Sequence, residues 1–304
     1  MGISTLLVLL SSNVIGGTAF FATAYTLKDF SSLGIVFWRI FLASLLFLPF
    51  SIRALRRTRL TPEDWLRMAG VGILGYAAPM YLGAIGQNLS TATHASLLIS
   101  IEPIFVVFLS ALFLKERVTF LKIIALFLSI IGSVLVVLQG VSFLNVQAAS
   151  YFRGDLLLCI QAILFSLYSV IGKPVLRKVD ALSFTALSTT LGLLPLFLLA
   201  HPLASIVPTV GVSRSALGAI TYLAAIVTFL GTITWYLARE KTPASQVANF
   251  LFLQPLVGVL LGVLVLKEPL TLWSVSGGLL IIIGVYCAAK EPSGNKIDKM
   301  SHGF

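Results

Sequence analysis

The sequence predicts an all-α membrane protein of ten transmembrane helices in two inverted five-helix repeats, and three observations carry that prediction. The first is composition: of 304 residues, 58% are hydrophobic and 11% charged, with a mean hydropathy of +1.02. A soluble domain carries about 25% charged residues, so this chain lacks the polar surface a globule of its size needs. Disorder requires the opposite bias. The second is continuity: runs such as Ile123–Leu138 and Leu279–Ala289 show no alternation of apolar and polar residues. A membrane β-barrel would show it in segments of about ten residues. The third is a long internal repeat in one fixed register.

A helix crosses the ~30 Å hydrocarbon core with about 20 apolar residues. That ruler places spans at 3–26, 32–52, 66–89, 92–114, 118–139, 153–173, 182–200, 215–238, 243–266 and 270–290. The clearest polar separators are Ser51–Arg67, Lys115-Glu116-Arg117, Lys173–Asp180 and Arg239-Glu240-Lys241. The start, Met1-Gly2-Ile3-Ser4, lacks a basic leader region and runs directly into the first span, so no cleavable signal is expected.

Taken in order, the first span carries Asn13 and a Gly16-Gly17 pair, the second Arg39 after Trp38, and the third Tyr76 and Tyr81. Arg39, close to the start of its helix, is expected to snorkel outward, with anion binding as the alternative. Mid-span tyrosines can stack on planar or cationic solutes or serve as packing. The fourth span holds Glu102, the deepest carboxylate, about ten residues in and so ~15 Å deep. An ionisable group there is by default a functional candidate: Glu102 can bind substrate, and can exchange a proton for it. The structural alternative is a neutral, hydrogen-bonded side chain.

His94, Leu98 and Glu102 follow each other at i, i+4, i+8 and share one helical face. The sixth span offers Gln161 and Tyr168. The eighth ends in Trp235 and Tyr236, which read as interfacial belt residues. In the ninth, Gln246, Phe250 and Gln254 repeat the face of the fourth, with Asn249 one step round. Pro103 and Pro255 are expected to hinge these two helices, freeing the carbonyls of Ile99 and Leu251. The candidate substrate-binding residues are therefore Tyr76, Tyr81, His94, Glu102, Gln246, Asn249, Gln254, Asn13, Gln161 and Tyr168.

The repeat joins 92–138 to 244–290 at an offset of 152. Ala92 meets Ala244, Pro103 meets Pro255, Lys115-Glu116 meets Lys267-Glu268, Thr119 meets Thr271 and Gly132 meets Gly284, without a gap. Leu against Leu is expected by chance in such text; Pro, Lys-Glu, Thr and Gly in one register are not. The chain divides into repeats at 1–145 and 150–290 and a polar cytoplasmic tail at 291–304. Five spans per half is an odd number, so the second half enters the membrane from the opposite side. Inverted repeats are the architecture of alternating-access transporters, with the substrate at the repeat interface; channels share it.

The net charge of +10 reads as topology rather than nucleic-acid binding, because Lys and Arg fall in the gaps between spans. With both termini cytoplasmic, sixteen lie inside and four (Lys28, Arg153, Arg214, Lys267) outside, Arg39 completing the 21. Cys159 and Cys287 sit in apolar runs without metal-type spacing. No cofactor and no metal is expected, and the partners are the lipid bilayer and a small-molecule substrate, the chain being a monomer or weak homodimer.

The residues Glu102-Pro103 with Leu114-Lys115-Glu116-Arg117-Val118-Thr119, and Gln254-Pro255 with Leu266-Lys267-Glu268-Pro269-Leu270-Thr271, resemble the drug/metabolite transporter superfamily, and most closely its EamA family. The resemblance spans the whole chain. It implies a central cavity lined by helices 1, 3, 4, 6, 8 and 9, scaffold roles for helices 5 and 10, and export of small metabolites such as amino acids across the cell membrane. Two other classes remain open: a facilitative channel, and an intramembrane enzyme. Against the enzyme stand three scattered histidines and the absence of HExxH or GxSxG motifs.

Overall fold

The computed structural model describes residues 3–57, 60–90, 95, 98–116, 118–138, 148–172, 175–200, 206–208, 211–243, 247–265 and 272–290. Among these residues the chain is helical throughout, without strands. The first span is α1 (Ile3–Gly17) and α2 (Ala19–Thr26), meeting at Thr18. Then come α3 (Ser32–Arg57), α4 (Pro62–Gly72), a π-helical tract Ile73–Ala77 and α5 (Ala78–Leu89). A 3₁₀ turn Ile99–Ile101 leads into α6 (Glu102–Leu114), followed by α7 (Phe120–Leu138), α8 (Ala148–Ile171) and α9 (Ala181–Leu199). The remainder is α10 (Arg214–Tyr222), a π tract Leu223–Leu230, α11 (Gly231–Lys241), a 3₁₀ turn Asn249–Phe252, α12 (Leu253–Val265) and α13 (Leu272–Lys290).

Five helical stretches among the described residues are long and apolar enough to cross a membrane: Ser4–Thr26, Ser32–Arg56, Pro62–Leu89, Leu182–Leu199 and Arg214–Ala238. Glu102–Leu114, Phe120–Leu135 and Val275–Cys287 are shorter apolar helices. The outward faces carry large apolar side chains such as Phe108, Phe127, Leu198 and Ile282, as lipid-facing surface requires. The chain is an integral, multi-pass membrane protein.

Three boundaries differ from expectation. The stretch Ser51–Arg67 is not one loop: α3 continues to Arg57, and α4 starts at Pro62 rather than 66. Thr61 and Asp64 form a reciprocal capping box with Pro62 in the first turn, so the polar residues of this stretch are helix ends. A cap satisfies first-turn N–H groups that would otherwise be orphaned. The sixth helix likewise begins at 148, ahead of the expected 153.

Contacts gather the segment ends into two sets. Lys178 Nζ pairs with Asp64 at 2.7 Å, joining the α3–α4 and α8–α9 connections. At the other end of α3, Asp29 accepts hydrogen bonds from the backbone N–H (2.9 Å) and hydroxyl (2.5 Å) of Ser213. There too, Trp38 Nε1 donates to the Ile206 carbonyl at 3.0 Å.

The offset of 152 is also visible in the backbone. Residues 73–77 map onto 225–229, inside the second π tract, and α7 maps residue for residue onto α13. These last two helices pack on each other through matched contacts. A Cβ on Gly132 would sit 2.5 Å from the Gly277 carbonyl oxygen, and one on its counterpart Gly284 would sit 2.8 Å from that of Ala125, the counterpart of Gly277. Bare backbones touch at this crossing, which only small residues allow.

Candidate functional site

A cavity of about 180 Å³ lies among α1, α2, α3, the two π tracts and the helices after them, α8, and both 3₁₀ turns with their following helices. Among the described residues, none of α7 or α13 belongs to its lining. For scale, a cavity of about 150 Å³ holds benzene, so this one suits a solute of amino-acid size. Its polar lining is Ser12, Thr23, Arg39, Tyr76, Gln87, Glu102, Gln161, Thr232 and Gln254. Beside the expected helices, α3 enters the wall with Ile35, Val36 and Arg39.

Glu102 and Gln254, counterparts across the offset, both face this cavity. Each follows a 3₁₀ turn and sits in the first turn of a new helix. Each proline thus stands where a 3₁₀ turn passes into α-helix. Pro103 occupies the first turn of α6, where its missing N–H costs nothing. Nor are the two carbonyls left free: that of Ile99 accepts from the Glu102 N–H, and that of Leu251 from the Leu253 N–H. Both carbonyls thus take part in the tightened turns.

Two of the three lining glutamines each rest over a glycine. The Gln161 amide occupies the space a Cβ on Gly83 would need, and Gln254 Nε2 lies 3.0 Å from where one on Gly16 would be. Behind Gln254 stands Asn13, fully buried, whose Oδ1 accepts from Gln254 Nε2 at 3.4 Å while its Nδ2 donates to the Leu9 carbonyl at 2.8 Å. Asn13 therefore positions Gln254 rather than lining the cavity.

Tyr76 lies in the first π tract, 4% exposed, and shares a hydrogen bond of 3.1 Å with Thr232 across the cavity wall. A π turn inserts a residue into the helix and turns the side chains after it; here it brings Tyr76 and Thr232 together.

Other candidates fall elsewhere. Tyr81 packs against the main apolar core and does not line the cavity. Asn249 is wholly buried in the 3₁₀ turn before α12, also away from the lining; its side-chain amide has no hydrogen-bond partner among the described residues. His94 and Gln246 lie outside the described residues, as does the Tyr168 side chain. Trp235 and Tyr236 are not belt residues: Trp235 is 8% exposed and lines the cavity, and Tyr236 is fully buried against Phe184.

Arg39 is the largest departure. Instead of snorkelling outward it turns into the bundle, lines the cavity, and donates from Nε to Thr228 Oγ1 at 2.7 Å. Thr228 belongs to the second π tract. The sequence signal was a cation inside a span; the acceptor is nearly 190 residues away and carries no charge, so nothing local marks it.

The helices thus enclose a small cavity whose wall is mostly apolar and carries a few polar and charged side chains. The EamA-like transporter family matches this chain twice, over residues 3–138 and 152–289; the protein belongs to that family, within the drug/metabolite transporter superfamily. Among its relatives, an uncharacterized transporter of Archaeoglobus fulgidus is 30% identical over 90% of this chain and 95% of its own length. The uncharacterized transporter YyaM of Bacillus subtilis is 24% identical over 93% and 92%, and a WAT1-related protein of Arabidopsis thaliana is 26% identical over 98% and 90%. One solved crystal structure aligns with a TM-score of 0.77 at 18% identity, covering 95% of this chain and 97% of that one, a likeness of fold. Family and relatives point away from an enzyme.

Proposed function

We propose that the protein is a secondary-active carrier that exports small polar or amphipathic metabolites, amino acids first among them, by alternating access. In this reading ten spans form two inverted five-helix repeats in the cell membrane, with both termini cytoplasmic. The observation that carries it is one amino-acid-sized cavity, walled by helices of both halves, into which the counterpart residues Glu102 and Gln254 project. Rocking one half against the other opens such a cavity to each side in turn. In this reading the protein works as a monomer or weak homodimer. Tyr76, Gln161 and Gln254 bind substrate, and Glu102 loads a proton on one side and releases it as substrate enters.

Counterflow in proteoliposomes tests this reading. Vesicles preloaded with an unlabelled amino acid should transiently concentrate the same labelled amino acid from outside. Exchange of phosphorylated solutes without exchange of any amino acid would overturn the substrate class. Substrate-independent ion current would replace the carrier by a channel.

A further inference from the structure

The geometry points to Arg39 as an anion subsite within this cavity, one that takes the carboxylate of the transported solute. The inference rests on the carrier reading above and adds the charge the solute must bear. Arg39 stands seven residues into α3, ~10 Å along the helix axis, half-buried, with its side chain in the cavity wall. A guanidinium at such depth is costly unless it pairs with something. Its Nε is satisfied by a neutral hydroxyl, Thr228 Oγ1 at 2.7 Å. Among the described residues no carboxylate pairs with it, and its Nη atoms have no hydrogen-bond partner.

A guanidinium carries five N–H donors in a planar fork, and the outer pair matches the two oxygens of a carboxylate. Thr228 holds the Nε edge and so fixes the plane of that fork while leaving its other edge for a ligand. The hold is built into the backbone, because Thr228 sits within the π tract Leu223–Leu230, where the added residue alters which side chains face α3.

Among the described residues the cavity wall carries two charged side chains, Arg39 and Glu102. Neither is repeated by the duplication: the corresponding span of the second half, 182–200, holds no Lys or Arg, and the counterpart of Glu102 is Gln254. The duplication's symmetry is thus broken at two positions by one cation and one acid, which matches a solute with a carboxylate at one end and an ammonium at the other. A second unmet donor lies on the same wall, the buried indole N–H of Trp235, which has no acceptor among the described residues. The opposite arrangement, a cavity for simple cations, leaves the Arg39 fork unused and repels the solute.

The test uses the full chain in lipid nanodiscs and in proteoliposomes, with the twenty L-amino acids and their twenty carboxamides as probes. Amides keep the ammonium and the side chain and lose the carboxylate. Thermal stabilisation reads binding and counterflow reads transport. At least one acid should stabilise the protein, and its amide should need at least about tenfold more for the same shift. Arg39→Gln should raise the half-saturating concentration of the acid by about tenfold or more and leave the amide unchanged, and Arg39→Lys should lose less.

If amides bind and exchange as well as acids, or Arg39→Gln binds acids at wild-type concentrations, the subsite is wrong and the carrier reading stands. If neither acids nor amides bind or exchange, the amino-acid carrier reading falls and the subsite with it. Should Arg39→Gln fail to fold, the acid-against-amide comparison on the unaltered protein decides alone.

Discussion

Glu102 and Gln254 hold equivalent places on either side of one cavity and differ in that only the carboxylate can carry a proton. Since an amide already serves at position 254, Glu102→Gln should leave counterflow intact and abolish accumulation driven by a pH gradient; retained accumulation with wild-type pH dependence would make Glu102 structural. Tyr76→Phe removes the hydroxyl shared with Thr232 and keeps the ring, so stability should fall by about 1 kcal/mol, read as a lower melting temperature. At the bundle end, hydrogen bonds from the Ser213 hydroxyl and then its backbone N–H hold the exposed Asp29 below the usual carboxylate range, with Lys28 adding to the effect. A depressed folded value means that this stabilisation is complete above the unfolded carboxyl's value of 3.8 and disappears as pH falls through the folded one. Asp29→Asn should therefore lower the melting temperature by a constant amount at about pH 5 and above, the gap to wild type closing toward more acid pH; a gap that widens on acidification contradicts the linkage.

Beside the continuous helices α3 and α8, interrupted elements shape the site. Two 3₁₀-to-α junctions present Glu102 and Gln254, and two π tracts present Tyr76 and Thr228. The uninterrupted helices α7 and α13 pack on each other, and none of their described residues lines the cavity. Their crossing depends on small residues, so Gly132→Val should force the backbones apart at Gly277 and cost about 1–3 kcal/mol, without a change in probe affinity because their described residues lie away from the cavity. Thermal unfolding and ligand titration on the same sample separate the two effects.

For the whole molecule, contacts between segment ends fall in two sets. Asp64 meets Lys178 at one end and Asp29 meets Ser213 at the other, as alternate crossings require. Inverted repeats then demand that the two Lys-Glu turns face opposite sides. Single cysteines at Lys115 and Lys267, probed with an impermeant thiol reagent in oriented vesicles from a Cys159→Ser, Cys287→Ser background, should label from the inside and the outside respectively. Labelling of both from one side would refute the inverted arrangement.

Membrane class and helical content were determined by the sequence alone, because continuous apolar runs leave the backbone no other way to satisfy its hydrogen bonds in lipid. The same holds for the placing of Glu102 and Gln254 on matching faces, since a gapless repeat must fold into matching geometry. Helix starts were legible where a cap writes itself locally, and Thr61-Pro62-Glu63-Asp64 shows that such a signal overrides a polarity count. What only the tertiary structure decided are the contacts between residues far apart in the chain. Arg39 finds Thr228, Tyr76 finds Thr232, Asn13 stands behind Gln254, and Gln161 fills the space over Gly83. Each depends on where a π tract or a glycine lets a neighbouring helix come. Helical periodicity ranks the faces of one helix, whereas the direction of a long polar side chain is set by the nearest partner on another. For that reason a cation expected at the membrane surface lies in the wall of the cavity.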